Sequence, residues 1–218
     1  MRFHLTSYNP VTLLILLCTV VFTLSSCRSS RNLRRDPFIM VIDAGHGGRD
    51  IGASGRKSNE KDINLKTAKR VSKLIRKHCR HVEVIMTRTD DEYVTLSDRA
   101  GMANFFNADL FLSIHSNSAR GWAEGTETFI HPSAKGTKSE RFARLIQWEY
   151  INNGKRESRG VKTGNLAVLR KTRMPAVLTE IGFISNKEEE KFIKSRRGQK
   201  KIARCLFNAF KQYYEENR

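Results

Sequence analysis

Two histidines and two glutamates stand where this sequence could do chemistry. His46 lies inside "VIDAGHGG", an apolar run that passes directly into glycine. His115 closes "ADLFLSIH", with Asn117 two positions on. Glu180 follows the apolar "AVLT", and Glu60 stands in "NEKD", just ahead of a helical pattern. Neutral imidazoles and a carboxylate bind zinc tetrahedrally and leave a fourth position for water. The metal brings the pKa of that water to about 7, and a carboxylate off the metal takes the proton and passes it to a leaving amine. The four residues are thus the inventory of a mononuclear hydrolytic zinc site. Gly45, Gly47 and Gly48 remove side chains around His46, so that metal and substrate can approach the backbone.

Each residue alone also has a structural reading. A glycine-rich turn after a strand can cradle phosphate. His115 fits a satisfied core histidine, Glu180 a partner for an arginine, and Glu60 an acid favoured by a helix dipole. His78, His81 and His131 lack comparable settings. What matters is whether the chain brings the four to one place.

The elements that must do so are legible as patterns. "FIMVID" (38–43), "HVEVIMTR", "ADLFLSIH", "GTETFIHP", "LAVLR" and "AVLTEIGF" are expected strands. Ile63, Thr67, Val71, Leu74, Ile75 and His78 recur at helical spacing, with Glu60 expected in the loop before them. "TLSDRAGMANFF" opens on the capping-box-like pair Thr95 and Asp98. "SERFARLIQWEYI", "KEEEKFI" and "QKKIARCLFNAFKQYY" are further helices, the last with Ile202, Leu206, Ala209, Phe210 and Tyr213 on one face. Alternating strands and helices imply a single α/β domain, with a mostly parallel or mixed central sheet and helices on both faces. Ligands bind beyond the carboxyl ends of such strands, which is where His46, His115 and Glu180 fall.

The 218 residues carry 40 Lys+Arg against 22 Asp+Glu, a formal charge of +18, which suits an anionic partner. Nucleic acid is not expected: no zinc-finger spacing, RNP-like motif or basic zipper accompanies the charge. Residues 1–26 read as a signal peptide, because the apolar run from Val11 to Phe22 is shorter than the roughly 20 residues a membrane span needs. "LSSC" (24–27) resembles the bacterial lipobox, which implies cleavage before Cys27 and acylation of that cysteine. Residues 27–37 form a basic linker and 38–218 the catalytic domain. The expected location is the cell envelope, lipid-anchored on the periplasmic side. Cys79 and Cys205 lie in helical patterns and read equally as a disulfide or as two buried thiols.

Four blocks, "IDAGHGGRDIGASG", "NEKDINL", "TRTDDEYVTLSDRAGMANFFNADLFLSIHSNS" and "VLTEIGFISNKEE", resemble in order the zinc-dependent N-acetylmuramoyl-L-alanine amidases of the Amidase_3 type. The similarity runs from about Phe38 to Tyr213. It implies that His46, Glu60 and His115 bind one zinc ion per chain and that Glu180 is catalytic. The implied substrate is peptidoglycan, cut at the amide between N-acetylmuramic acid and L-alanine, in wall remodelling or daughter-cell separation. Local surroundings agree with the division of labour. Glu60 sits among polar residues, whereas Glu180 leaves an apolar strand, where desolvation raises a carboxyl pKa. Asn117 is a substrate contact or a turn residue. Arg88, Arg99 and Arg170 lie in family-like blocks without an assigned role. An activator protein is possible but not indicated, since 115–166 holds one strand and one helix with little room for the occluding insertion of some family members. The competing readings are a wall-binding lipoprotein without activity and a different zinc amide hydrolase on the same fold.

Overall fold

A computed structural model describes residues 36–120 and 122–218. The expected signal peptide, Cys27 and nearly all of the basic linker lie outside the described residues. Six strands form one sheet: β1 (Phe38–Ala44), β2 (Val82–Met86), β3 (Leu110–Asn117), β4 (Thr126–Ile130), β5 (Ser158–Thr163) and β6 (Ala176–Phe183). Their order is β2-β1-β3-β6-β4-β5. All neighbours are parallel except β4 and β6. The sheet is therefore mixed.

Helices α1 (Glu60–His78), α2 (Leu96–Phe105), α3 (Lys138–Asn152), α4 (Ala167–Lys171), α5 (Lys187–Lys194) and α6 (Arg196–Glu216) cover the two faces unequally. Along each strand successive side chains alternate between faces. Met40, Ile42, Leu110, Leu112, Ile114 and Val177 point to a large core shared with α1, α3, α5 and α6. Val41, Phe111, Ala176 and Leu178 point the other way, to a small cluster closed by Ala103 of α2 and by Val168 and Leu169 of α4. One face is thick and the other thin.

Local chemistry explains the helix ends. Thr95 caps α2, its hydroxyl accepting from the Asp98 N–H at 3.1 Å. Asn186 accepts from the N–H groups of Glu188 and Glu189 and starts α5. The five residues named on α6 are all buried, as their spacing implies.

Two expectations need correction, and one strand is additional. "LAVLR" is not a strand: Ala167–Lys171 form helix α4, with Leu166 at its N-cap. A short apolar run fits a strand or a turn of buried helix equally well, so its pattern could not decide. Glu60 is the first residue of α1 rather than a loop residue. Strand β5 was not expected at all. "SRGVKT" lacks apolar alternation because it is the exposed edge of the sheet, where charged residues are usual.

Candidate active site

The site is built on the end of β1. Asp43 is fully buried there and accepts from Arg99 Nη1, Thr87 Oγ1 and Ser113 Oγ, each at 2.7 Å. Burial opposes its charge, but Arg99, His115 and the two hydroxyls outweigh it and hold the carboxyl below the usual range. Arg99 also donates to the carbonyls of Ala44 (2.7 Å) and His46 (2.8 Å). Arg88, likewise buried, donates to those of Ala44 (2.9 Å) and Gly45 (3.0 Å). Two buried guanidinium groups therefore clamp the glycine-rich turn, a role that their sequence positions alone did not disclose. Arg170, by contrast, is exposed and bonds Asn165.

The clamp matters because His46 has φ of +61°, a left-handed conformation that costs a non-glycine residue roughly 1–2 kcal/mol. The turn is closed by Gly47 N–H to Asp50 carbonyl (2.8 Å) and its reciprocal bond (3.1 Å). The Asp50 carboxylate then accepts from His46 Nδ1 at 2.9 Å. The glycines also make room for the protein itself. A Cβ on Gly45 would lie 2.2 Å from His115 Nε2, and one on Gly47 would lie 2.2 Å from the Glu92 carbonyl oxygen. The bare backbone first makes room for the protein's own imidazole and its own neighbouring loop.

Glu60, at the start of α1, is gripped on both carboxylate oxygens. Oε2 accepts from the Ala53 N–H at 2.9 Å, and Oε1 accepts from the Ser116 N–H at 3.1 Å and from Asn64 at 3.2 Å. The same two oxygens meet His46 Nε2 at 3.2 Å and His115 Nδ1 at 2.9 Å. Ligand-type atoms of His46, Glu60 and His115 all lie within 4.8 Å of one another, so the three could hold a metal ion. Their titration reflects this closeness. Burial opposes protonation of His46, yet Glu60 and Asp50 raise it to about 9. His115 is raised as well, against its burial, chiefly by Glu60. Burial pushes Glu60 up, but the two imidazoles outweigh it and hold the carboxylate well below its usual range.

Glu180 on β6 lies directly across from His115 in the parallel register of β3 and β6. Burial raises its carboxyl to about 7; His115 pulls it back, while Glu60 and Glu127 push it further up. Its Oε2 is buried and has no hydrogen-bond partner among the described residues. Glu127, which the sequence did not single out, faces Glu180 across the antiparallel β4–β6 pair. It is almost completely buried, and its Oε1 accepts from Asn117 Nδ2 at 2.6 Å. Both polar atoms of Asn117 are used within the protein, since its Oδ1 accepts from the Ser118 N–H at 2.7 Å.

Two acids of the "NKEEE" segment also find structural work. Glu189 accepts from the N–H groups of Gly125 and Phe183 and pairs with Arg156, tying β4 to β6. Glu190 accepts from Ser58 Oγ at 2.7 Å and pins the loop that leads into α1. Cys79 and Cys205 are buried free thiols.

Residues 40–212 match the Amidase_3 family, described as N-acetylmuramoyl-L-alanine amidase. The YqiI protein of Bacillus subtilis (strain 168) is 36% identical over 200 residues, spanning 92% of this chain and 96% of that one. The N-acetylmuramoyl-L-alanine amidase CwlM of Bacillus licheniformis is 39% identical over 165 residues, which are 76% of this chain but 64% of that protein. Among solved structures, an N-acetylmuramoyl-L-alanine amidase from Clostridium difficile 630 superposes with a TM-score of 0.80 at 34% identity, covering 84% of this chain and 100% of the other. Agreement in sequence and in fold across nearly the whole described region shows that the chain belongs to the N-acetylmuramoyl-L-alanine amidase family Amidase_3.

Proposed function

We propose that this amidase cuts peptidoglycan between N-acetylmuramic acid and L-alanine at one zinc ion held by His46, Glu60 and His115, with Glu180 moving the proton. The observation that carries the reading is the approach of three ligand-type side chains to within 4.8 Å, beside a carboxyl whose buried oxygen lacks a partner. Two imidazoles and one carboxylate are the donor set of a hydrolytic zinc site, so the residues fit the metal. When bound, zinc supplies Lewis-acid polarisation of the amide carbonyl and activation of water.

The chain's own residues do the rest. Asp50 orients the His46 ring, and the grip on Glu60 by two N–H groups and Asn64 fixes its carboxylate, the outer-shell support that metal ligands need. Glu180, whose carboxyl burial raises above its usual range, stands where it can accept a proton and return it to the leaving nitrogen. Asn117 enters through Glu127, whose carboxylate its amide holds.

In the cell, we place the enzyme outside the cytoplasm, cleaved before Cys27 and anchored by acyl chains on that cysteine. The support is the lipobox-like "LSSC" and the short apolar run before it. No helix among the described residues is long and apolar enough to cross a membrane. Metal analysis and mass spectrometry of released muropeptides test the chemistry together. Zinc near one per chain, with free stem peptides beginning at L-alanine, is the expected result; a different cut, or none, would overturn it. Cys27→Ala should leave the membrane fraction, and its retention there after signal cleavage would refute the anchor.

A further inference from the structure

A pair of cations lies one strand beyond Glu180. The order of strands carries the groups in a row, from His115 on β3 to Glu180 on β6, Glu127 on β4, and Arg159 and Lys162 on β5. Glu127 Oε2 accepts from Arg159 Nε at 3.2 Å and from Lys162 Nζ. Residues 159 and 162 have opposite parity, so in a regular strand their side chains would leave by opposite faces. They meet because β5 carries an extra residue: Thr126 pairs with Ser158 but Thr128 pairs with Val161. Gly160 sits inside that bulge with φ of +81°, a conformation suited to glycine. Bulges of this kind re-aim side chains beside active sites.

Edge protection accounts for a bulge and for charged side chains on β5. It does not by itself require two cations to share one buried carboxylate. Here a buried carboxylate is spent on holding them, in spite of the desolvation it costs and of its position opposite Glu180. Two cations also share one carboxylate, which leaves a positive charge unmatched. Their side chains are 42% and 39% exposed, and Arg159 uses only Nε toward Glu127, with no hydrogen bond to its terminal nitrogens among the described residues. Its guanidinium is steadied 5.1 Å from the Phe183 ring centroid.

We propose that Arg159 and Lys162, aimed by the β5 bulge and held by buried Glu127, form a subsite for a carboxylate on the leaving peptide. The direction rests on the proposed role of Glu180. If Glu180 returns the proton to the leaving amine, the amine's substituent extends away from His115, toward β4 and β5. That substituent is the stem peptide, so its first free carboxylate past L-alanine is the group that the cations meet.

The test uses zinc-loaded enzyme and two muramoyl peptides that differ only after L-alanine, one with a free carboxylate and one with that group amidated. Wild type should favour the carboxylate by about tenfold in kcat/KM, expressed in KM, as fits a charge-assisted contact at a half-exposed position. Arg159→Gln combined with Lys162→Gln should bring the ratio to about one, while Arg159→Lys keeps part of it. Lys162→Gln alone, at the exposed edge, carries the same comparison if the double variant does not fold. Equal KM values in wild type, an unchanged preference in the variants, or equal losses on both substrates would each overturn the subsite. A wild type that releases no peptide from either substrate overturns the proposed mechanism and the subsite with it, whereas activity on both without preference overturns the subsite alone.

Discussion

The two faces of the sheet are built differently. On the thick face, α1, α3, α5 and α6 bury a continuous core that includes Phe142, Ile146, Leu206 and Phe210, all without solvent exposure. On the thin face, only α2 and the single-turn α4 cover a cluster around Phe111 and Leu178. His115 and Glu180 follow the thin-face positions along β3 and β6, spaced by two residues from Ser113 and Leu178. Apolar burial that a domain needs for stability is concentrated on the face opposite His115 and Glu180. Glu60 connects the two faces, since it stands on a thick-face helix and reaches over the sheet edge to both histidines.

The largest expected effect tests that connection. Glu60→Ala should reduce bound zinc from one per chain toward none and abolish turnover, while thermal melting of the metal-free protein still shows one cooperative transition. Retained zinc, read by metal analysis, would mean that the histidines suffice and the bridge between faces is not needed. Next comes Glu180→Gln, which should keep its zinc yet lose about 10²–10⁴-fold in kcat, the usual scale for a general base. A zinc-free Glu180→Gln protein would show that the two glutamates share the metal.

The third comparison sets one leucine against another. Leu→Ala in a core costs about 2–5 kcal/mol, depending on how far the site can collapse. Leu206→Ala on the thick face should fall toward the upper end and Leu169→Ala on the thin face toward the lower, with kcat of the folded protein unchanged in Leu206→Ala. Equal losses in denaturant titrations would break the contrast between the faces. The smallest effect concerns pH. In the metal-free protein His46 titrates at about 9 and His115 is raised too, so a metal must displace protons that Glu60 and Asp50 stabilise. Below that value His46 is charged and resists the metal; above it the neutral ring is ready. Apparent zinc affinity should therefore rise from pH 7 toward 9, by about tenfold per unit for each imidazole that must lose a proton, measured against a competing chelator. A flat profile would show that His46 is already neutral before zinc arrives.

Much of this was readable before any coordinates. The apolar runs of β1, β3 and β6 and the spacing of α1 and α6 report burial directly, because period and burial are two views of one constraint. The strand-end rule then placed His46, His115 and Glu180 at one edge. What failed was short or polar. Helix α4 read as a strand because five residues do not complete enough turns to show a period. Strand β5 was invisible because its partner-free edge imposes no apolar alternation.

The sequence by itself determined the fold class and the family and proposed the four chemical residues, because each depends on residue type and local order. Only the tertiary structure decided how those residues are held. Arg88 and Arg99 could not be told from surface cations until they were found buried against the carbonyls around His46. Gly45 could not be matched to His115, 70 positions away, until strand pairing brought the ring over it. Glu127 acquires meaning only opposite Glu180, and Arg159 only through a bulge that turns it inward. These are contacts between distant segments, set by sheet order and register, and no pattern within one segment encodes which distant partner it will meet.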